Sequence, residues 1–154
     1  MITENTMIFR LVLSVVLGGL IGFERQMHRR TAGLRTNILV CLGSCLIMIL
    51  SQYIFDIYRD VVPVDPSRIA ASIITGIGFL GAGAIIRERD KEAVRGLTTA
   101  ACLWVVAAIG MAAGCGFYSA ALVTTVFTLI VLFVLRHVES MLFTKQQGGT
   151  GGGD

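Results

Sequence analysis

An uncharged stretch of the chain, residues 96–135, is too long to be one membrane helix. At about 1.5 Å per residue it would form a helix about 60 Å long, roughly twice the ~30 Å hydrocarbon core of a bilayer. The stretch therefore predicts two spanning helices joined by a tight turn. Glycine clusters break helices, and we place the turn at the Gly-Cys-Gly of residues 114–116.

The composition of the whole chain is that of an integral membrane protein. Of its 154 residues, 55% are hydrophobic and 15% are charged, and the mean hydropathy is +0.78. A soluble domain usually carries about 25% charged residues. The composition therefore argues against a soluble domain, a disordered chain, a disulfide scaffold or a nucleic-acid-binding domain.

The apolar stretches predict an all-α integral membrane protein with five transmembrane helices. We predict one transmembrane domain, residues 1–147, followed by a flexible glycine-rich tail, residues 148–154. A span needs about 20 mostly apolar residues, and the predicted spans are residues 7–23, 37–57, 67–86, 97–113 and 117–136.

Positive charge sets the predicted orientation of these spans. Arginine and lysine concentrate in the loop after the first span, in the loop after the third span and in the segment after the fifth. Loops rich in these residues stay in the cytoplasm. We therefore expect the N-terminus outside and the C-terminus in the cytoplasm.

The third predicted span is rich in glycine. Residues 76–81 match the G-x-G-x-x-G pattern of dinucleotide-binding proteins, but that fingerprint requires a turn between a strand and a helix. Small residues inside a membrane span instead allow close helix approach, so we predict that this helix is central and tightly surrounded. An unwound segment that binds an ion through backbone carbonyls is the alternative. The predicted helix-packing residues, for internal contacts or a dimer, are Gly18, Gly22, Gly76, Gly78, Gly81, Gly83, Gly110 and Gly114.

Eight polar residues lie near the predicted cytoplasmic ends of the first, second and fourth spans. They are Glu24, Arg25, Arg35, Thr36, Asn37, Arg95, Thr98 and Thr99. The topology brings them to one membrane level, where they either anchor three helix ends or form a binding pocket or docking surface. A proton or cation site there would use the carboxylate of Glu24. Magnesium sites usually combine carboxylates with retained water, and one glutamate beside arginines is a poor cage.

Nothing in the sequence predicts catalysis. It contains no pattern of the Ser-His-Asp, Cys-His, P-loop or metalloprotease kind. Cys41 and Cys45 share a helix face, and we interpret them as small packing residues rather than metal ligands. We therefore predict a protein that is not an enzyme and that holds no metal and no cofactor.

Four ordered segments resemble the MgtC/SapB family of bacterial inner-membrane proteins. They are GFER at 22–25, GLRTN at 33–37, GIGFLGAG at 76–83 and RGLTTAA at 95–101. The resemblance covers residues 7–136. It implies a five-span protein of the inner membrane that is linked to magnesium limitation and to virulence, and that restrains the F-type ATP synthase through a membrane contact. Many members carry a C-terminal domain that resembles ACT modules, and we expect this chain to be the membrane module alone.

Three functions remain open at this stage. The first is a regulator that contacts a membrane partner, such as the membrane sector of the F-type ATP synthase, and that forms a homodimer or other homo-oligomer. The second is a small channel or carrier for protons or Mg²⁺, acting as a homo-oligomer. The third is a structural scaffold in the lipid bilayer. None of the three involves nucleic acid.

Overall fold

The structure is a computed structural model that describes residues 2–63, 65, 67–87 and 94–135. The predicted glycine-rich tail and the end of the fifth predicted span at residue 136 lie outside these residues. The described chain forms helices α1 (Glu4–Met27), α2 (Leu34–Tyr58), α3 (Ser67–Ala84), α4 (Leu97–Cys115) and α5 (Tyr118–Ile130), with a π-helical turn at Val131–Leu135. Between α3 and α4, strands β1 (Ile86–Arg87) and β2 (Val94–Arg95) pair antiparallel, with Ile86 opposite Arg95.

The prediction of an all-α, multi-pass membrane protein is confirmed at this level. Four of the described helices, α1 to α4, are long and apolar enough to cross a membrane. Helix α5 and its π-helical turn form a shorter apolar helix, Tyr118–Val134. The count of five spans and their orientation stay predictions.

The turn between α4 and α5 lies where the glycine cluster predicts it. Gly116 has a φ of 82°, a conformation that costs glycine little and other residues more. The N–H of Gly116 donates to Ala113 O at 3.0 Å, and the N–H of Phe117 donates to Ala112 O at 2.8 Å. This pair of bonds ends α4 and reverses the chain.

Helix α4, not α3, occupies the centre of the bundle. It packs against α1, α2, α3 and α5, whereas α3 packs mainly against α4 and α2. The prediction of a central, tightly surrounded α3 is therefore wrong. A Cβ atom added at Gly76, Gly78 or Gly83 would meet no described atom within 4 Å. Small side chains permit close approach, but they do not decide which helix face another helix covers.

The close helix crossings lie on α1 and α4 instead. A Cβ atom at Gly18 would stand 2.7 Å from Cys41 Cβ, and one at Gly114 would stand 2.6 Å from Cys45 O. A Cβ atom at Gly110 would overlap Cys41 O. Helix α2 thus packs closely against glycines of both α1 and α4. Cys41 and Cys45, on the packed face of α2, are fully buried.

Candidate functional site

Two backbone features bring three helix ends together at one end of the bundle. Arg29 adopts a φ of 51°, its N–H bonds Gln26 O at 3.1 Å, and the N–H of Arg30 bonds Arg25 O at 3.1 Å. These bonds end α1 and send α2 back along it. Gly22 allows the close contact, because a Cβ atom there would lie 2.9 Å from Leu34 Cα. The residues at the end of α1 therefore face the start of α2.

Gly96 sets the start of α4 at the same end. It has a φ of 93°, and a Cβ atom there would overlap the carbonyl oxygen of Ala84 at the end of α3. Only glycine fits both requirements without strain. Helix α4 begins at the next residue, and Thr99 in its first turn points into the bundle, where it is 4% exposed.

The buried group at this end is the Arg25 cluster, which consists of Glu24, Arg25, His28 and Thr99. Arg25 is 4% exposed, and its Nη2 donates to Thr99 Oγ1 at 3.4 Å. Its Nη1 lies 3.9 Å from Glu24 Oε2. His28 Nδ1 lies 2.8 Å from Glu24 Oε1. A single carboxylate thus faces two basic side chains at the end of α1, and the Arg25 guanidinium links that end to the first turn of α4.

Asn37 joins the start of α2 to the loop before it. Its Nδ2 donates to Ala32 O at 3.0 Å and to Gly33 O at 2.8 Å. Its Oδ1 accepts a weak bond from Cys102 Sγ at 4.0 Å. Asn37 is fully buried, and these partners satisfy the amide that burial would otherwise penalise.

The structure brings together three of the eight predicted polar residues. Glu24, Arg25 and Thr99 lie in the Arg25 cluster, whereas Asn37 is buried at the same end with partners of its own. The exposed members are Arg35, Thr36, Arg95 and Thr98. Sequence reasoning missed His28, although its spacing of four residues from Glu24 is a signal for a pair on one helix face.

The chemistry of the Arg25 cluster is that of an anchor. Among the described residues, no group of three His, Cys, Asp or Glu side chains could hold a metal ion. Glu24 Oε2 and Arg25 Nε are buried without a hydrogen-bond partner in the same part of the chain. Burying a charge pair costs much desolvation free energy, and removal of one member leaves the other uncompensated. The cluster therefore couples the end of α1 to the start of α4.

A second polar group, the Arg10 cluster, lies at the opposite end of the bundle. Arg10 Nη1 donates to Gly114 O at 2.6 Å and to Gln52 Oε1 at 2.8 Å, and Arg10 Nε donates to Tyr118 OH at 3.2 Å. Gln52 Nε2 donates to Cys115 O at 3.3 Å. A guanidinium at the last carbonyls of α4 complements the negative end of that helix. These partners of Arg10 could not be predicted from the sequence, because they are distant from it in the chain.

Apolar side chains fill the space between the two clusters. Leu17, Ile21, Val106 and Ile109 are each no more than 3% exposed and belong to one packed core. The described bundle therefore has a mainly apolar packed core between its polar ends.

Helix α3 presents an uncovered face to the surroundings. We call it the α3 outer face, and it consists of Ala71, Ser72, Thr75, Gly78, Phe79 and Ala82. Phe79, at its centre, is 82% exposed. Small side chains around one exposed aromatic ring form a surface on which another membrane helix can pack closely.

The chain is similar to proteins of one family. The MgtC family profile matches residues 11–141. A protein of Escherichia coli K12 named "Putative magnesium transporter YhiD" is 49% identical over 140 residues, which cover 90% of this chain and 64% of that protein.

Proteins named "Protein MgtC" are similar as well. The one from Brucella abortus is 47% identical over 127 residues, which cover 82% of this chain and 50% of that protein. The one from Salmonella typhimurium is 46% identical over 135 residues, which cover 88% of this chain and 54% of that protein. The chain thus spans between half and two thirds of the length of these relatives. No solved structure matches it.

Proposed function

The chain belongs to the MgtC family, and we propose that it is a non-enzymatic regulator in the bacterial inner membrane. It acts in adaptation to low magnesium and to virulence-type stress. It works by direct helix contact with a membrane-embedded partner. The name of the Escherichia coli relative includes the words "magnesium transporter", and this name supports a magnesium-related role for this chain.

The α3 outer face is the observation that carries this proposal. Phe79 is 82% exposed, and Gly78 beside it has open space where a side chain would stand. Lipid tails are as apolar as leucine, so helix association in membranes depends on close packing of small residues. Helices α1 and α4 use Gly18, Gly22, Gly110 and Gly114 inside this bundle, whereas Gly78 of α3 meets no described atom and is open to a partner.

The partner we propose is the membrane sector of the F-type ATP synthase. The family resemblance supports this choice, and the partner's transmembrane helices are of the kind that a small-residue face fits. Contact of α3 with that sector restrains rotation and lowers ATP turnover. Self-association through the same face would form the proposed homodimer.

ATP hydrolysis by inverted inner-membrane vesicles tests this function. Vesicles that contain the wild-type chain should hydrolyse ATP more slowly than vesicles without it. Gly78→Leu should remove the effect, because a large side chain blocks close approach on the α3 outer face. Gly78→Ala should preserve the effect, since the face stays small. Unchanged hydrolysis in the presence of the wild-type chain would contradict the proposal.

The second candidate is a proton or Mg²⁺ channel or carrier that acts as a homo-oligomer. The name of the Escherichia coli relative favours it. The packed core of Leu17, Ile21, Val106 and Ile109 opposes a path through a single bundle. A proton leak would raise ATP hydrolysis in the vesicle assay, because the pump would work against less back-pressure. Proton or Mg²⁺ flux in proteoliposomes that depends on Glu24 would establish this function in place of the first.

A further inference from the structure

A groove separates α2 from α3 along the arginine-rich half of the bundle. It has a volume of about 520 Å³. Its apolar lining residues are Leu39, Val40, Ile47, Ile73, Ile77 and Leu80. Gly43 of α2 and Gly76 of α3 also line it, and a Cβ atom at either position would meet no described atom within 4 Å. The groove is therefore open space between two helices.

A polar chamber adjoins one end of this groove. The chamber has a volume of about 600 Å³, and its polar lining includes Gln26, Thr31, Arg35 and Thr36. Arg35 and Thr36 line the groove as well, so the two spaces meet at these side chains. The combined space is amphipathic, with a polar head region and an apolar stem.

The charge around the chamber is positive. Arg35 lines the chamber, and Arg29 and Arg30 are exposed in the loop before Thr31. The Arg35 guanidinium makes no hydrogen bond or ion pair within the described part of the chain. Glu24 is engaged by Arg25 and His28 instead. The positive charge of Arg35 therefore favours a ligand that carries negative charge.

We propose that this space is a binding site for an anionic phospholipid from the leaflet at the arginine-rich end. The headgroup phosphate binds Arg35, and Gln26, Thr31 and Thr36 offer hydrogen bonds to the headgroup. One acyl chain lies in the groove between α2 and α3. The groove shares only Ser72 with the α3 outer face, and lipid binding there does not require the proposed regulatory contact.

The dimensions of the groove fit an acyl chain better than a helix. Its α2 wall runs from Thr36 to Ile47, which is about 17 Å at 1.5 Å per residue. One leaflet contributes about half of the ~30 Å hydrocarbon core. A helix of that length and about 10 Å across occupies roughly 1,300 Å³, more than twice the volume of the groove. The groove therefore suits a single acyl chain better than a helix from a second copy of the chain.

Lipid retention by the purified chain tests the headgroup half of the proposal. Native mass spectrometry in detergent with equimolar palmitoyl-oleoyl phosphatidylglycerol and phosphatidylethanolamine should show preferential retention of phosphatidylglycerol. Arg35→Gln should reduce this preference about fivefold, the contribution expected of one interfacial arginine. Arg35→Lys should keep it. Arg59→Gln is the matched control, because Arg59 is exposed at the other end of α2 and should leave the preference unchanged.

Filling the groove tests the acyl-chain half. Gly43→Leu and Gly76→Leu place a side chain in the groove from opposite walls, and either should remove most retained lipid. Gly78→Leu is the control on the same helix, since it points outside the groove and should retain lipid as the wild type does. Using both walls keeps the test valid if one variant fails to fold. Equal retention of the two lipids by the wild type would overturn the proposal, as would equal lipid loss in Gly78→Leu and the groove variants.

Discussion

Replacing Gly110 by alanine tests the claim that α4 and α2 touch through backbone atoms. The added Cβ would overlap Cys41 O, and it would lie 2.9 Å from Cys41 C and 3.0 Å from Ser44 Cβ. The first two atoms belong to the main chain of α2 and cannot rotate away. The two helices must therefore separate, which disturbs the core around Val106 and Ile109.

The size of the effect follows from two opposing contributions. Overpacking a tight site usually costs about 1–3 kcal/mol. Alanine gains about 0.5–1 kcal/mol over glycine within a helix. We expect a net loss of about 1–2 kcal/mol in the free energy of unfolding for Gly110→Ala. Gly78→Ala meets no described atom within 4 Å, so it should show only the gain, up to about 1 kcal/mol.

Equilibrium unfolding in mixed detergent micelles, followed by circular dichroism, measures both variants. The same substitution should change stability in opposite directions at the two positions. A Gly110→Ala protein as stable as the wild type would refute the close crossing of α2 and α4. Destabilisation by Gly78→Ala would refute the open position of that glycine.

Three further predictions concern the polar groups at the ends of the helices. Arg25→Gln should lower the free energy of unfolding by about 3 kcal/mol, because it removes the buried guanidinium beside the Glu24 carboxylate. Arg35 is exposed, so Arg35→Gln should change the free energy of unfolding by less than about 0.5 kcal/mol in the same assay. Arg10→Ala should speed proteolysis between α4 and α5, because that side chain binds Gly114 O; a cleavage rate equal to the wild type would contradict this. Asp65 accepts hydrogen bonds from the Ser67 hydroxyl and N–H, which hold the pKa of its carboxyl below the ordinary value. The ionised Asp65 carboxylate therefore stabilises the start of α3. This stabilisation is fully present above the pKa of Asp65 in the unfolded chain and is lost as the pH falls through its lower pKa in the folded chain. Titration by nuclear magnetic resonance should find that Ser67→Ala raises the Asp65 pKa.

The number of helices could be predicted because chain length against bilayer thickness leaves few choices. The uncharged stretch after Gly96 is too long for one span, and Gly116 supplies the left-handed residue that the turn needs. The position of α3 could not be predicted. Its glycines reveal a small face, but whether another helix covers that face depends on the rest of the bundle.

The Arg25 cluster was predictable only in part. Topology places Arg25, Arg35 and Thr99 at one level, yet the rotation of each helix about its axis decides which side chains point inward. Thr99 points inward because Gly96 fixes the start of α4 against Ala84. Arg35 points outward because Asn37 and Gly22 occupy the contact between α1 and α2.

Photo-crosslinking from the centre of the α3 outer face tests the proposed helix contact most directly. A photoreactive phenylalanine analogue at Phe79, which is 82% exposed, is compared with one at Phe127 of α5, which is 63% exposed. Irradiated membranes should yield a covalent adduct with a membrane subunit of the F-type ATP synthase from position 79 and none from position 127. Adducts with lipid alone at position 79, or equal synthase adducts from both positions, would contradict contact through α3.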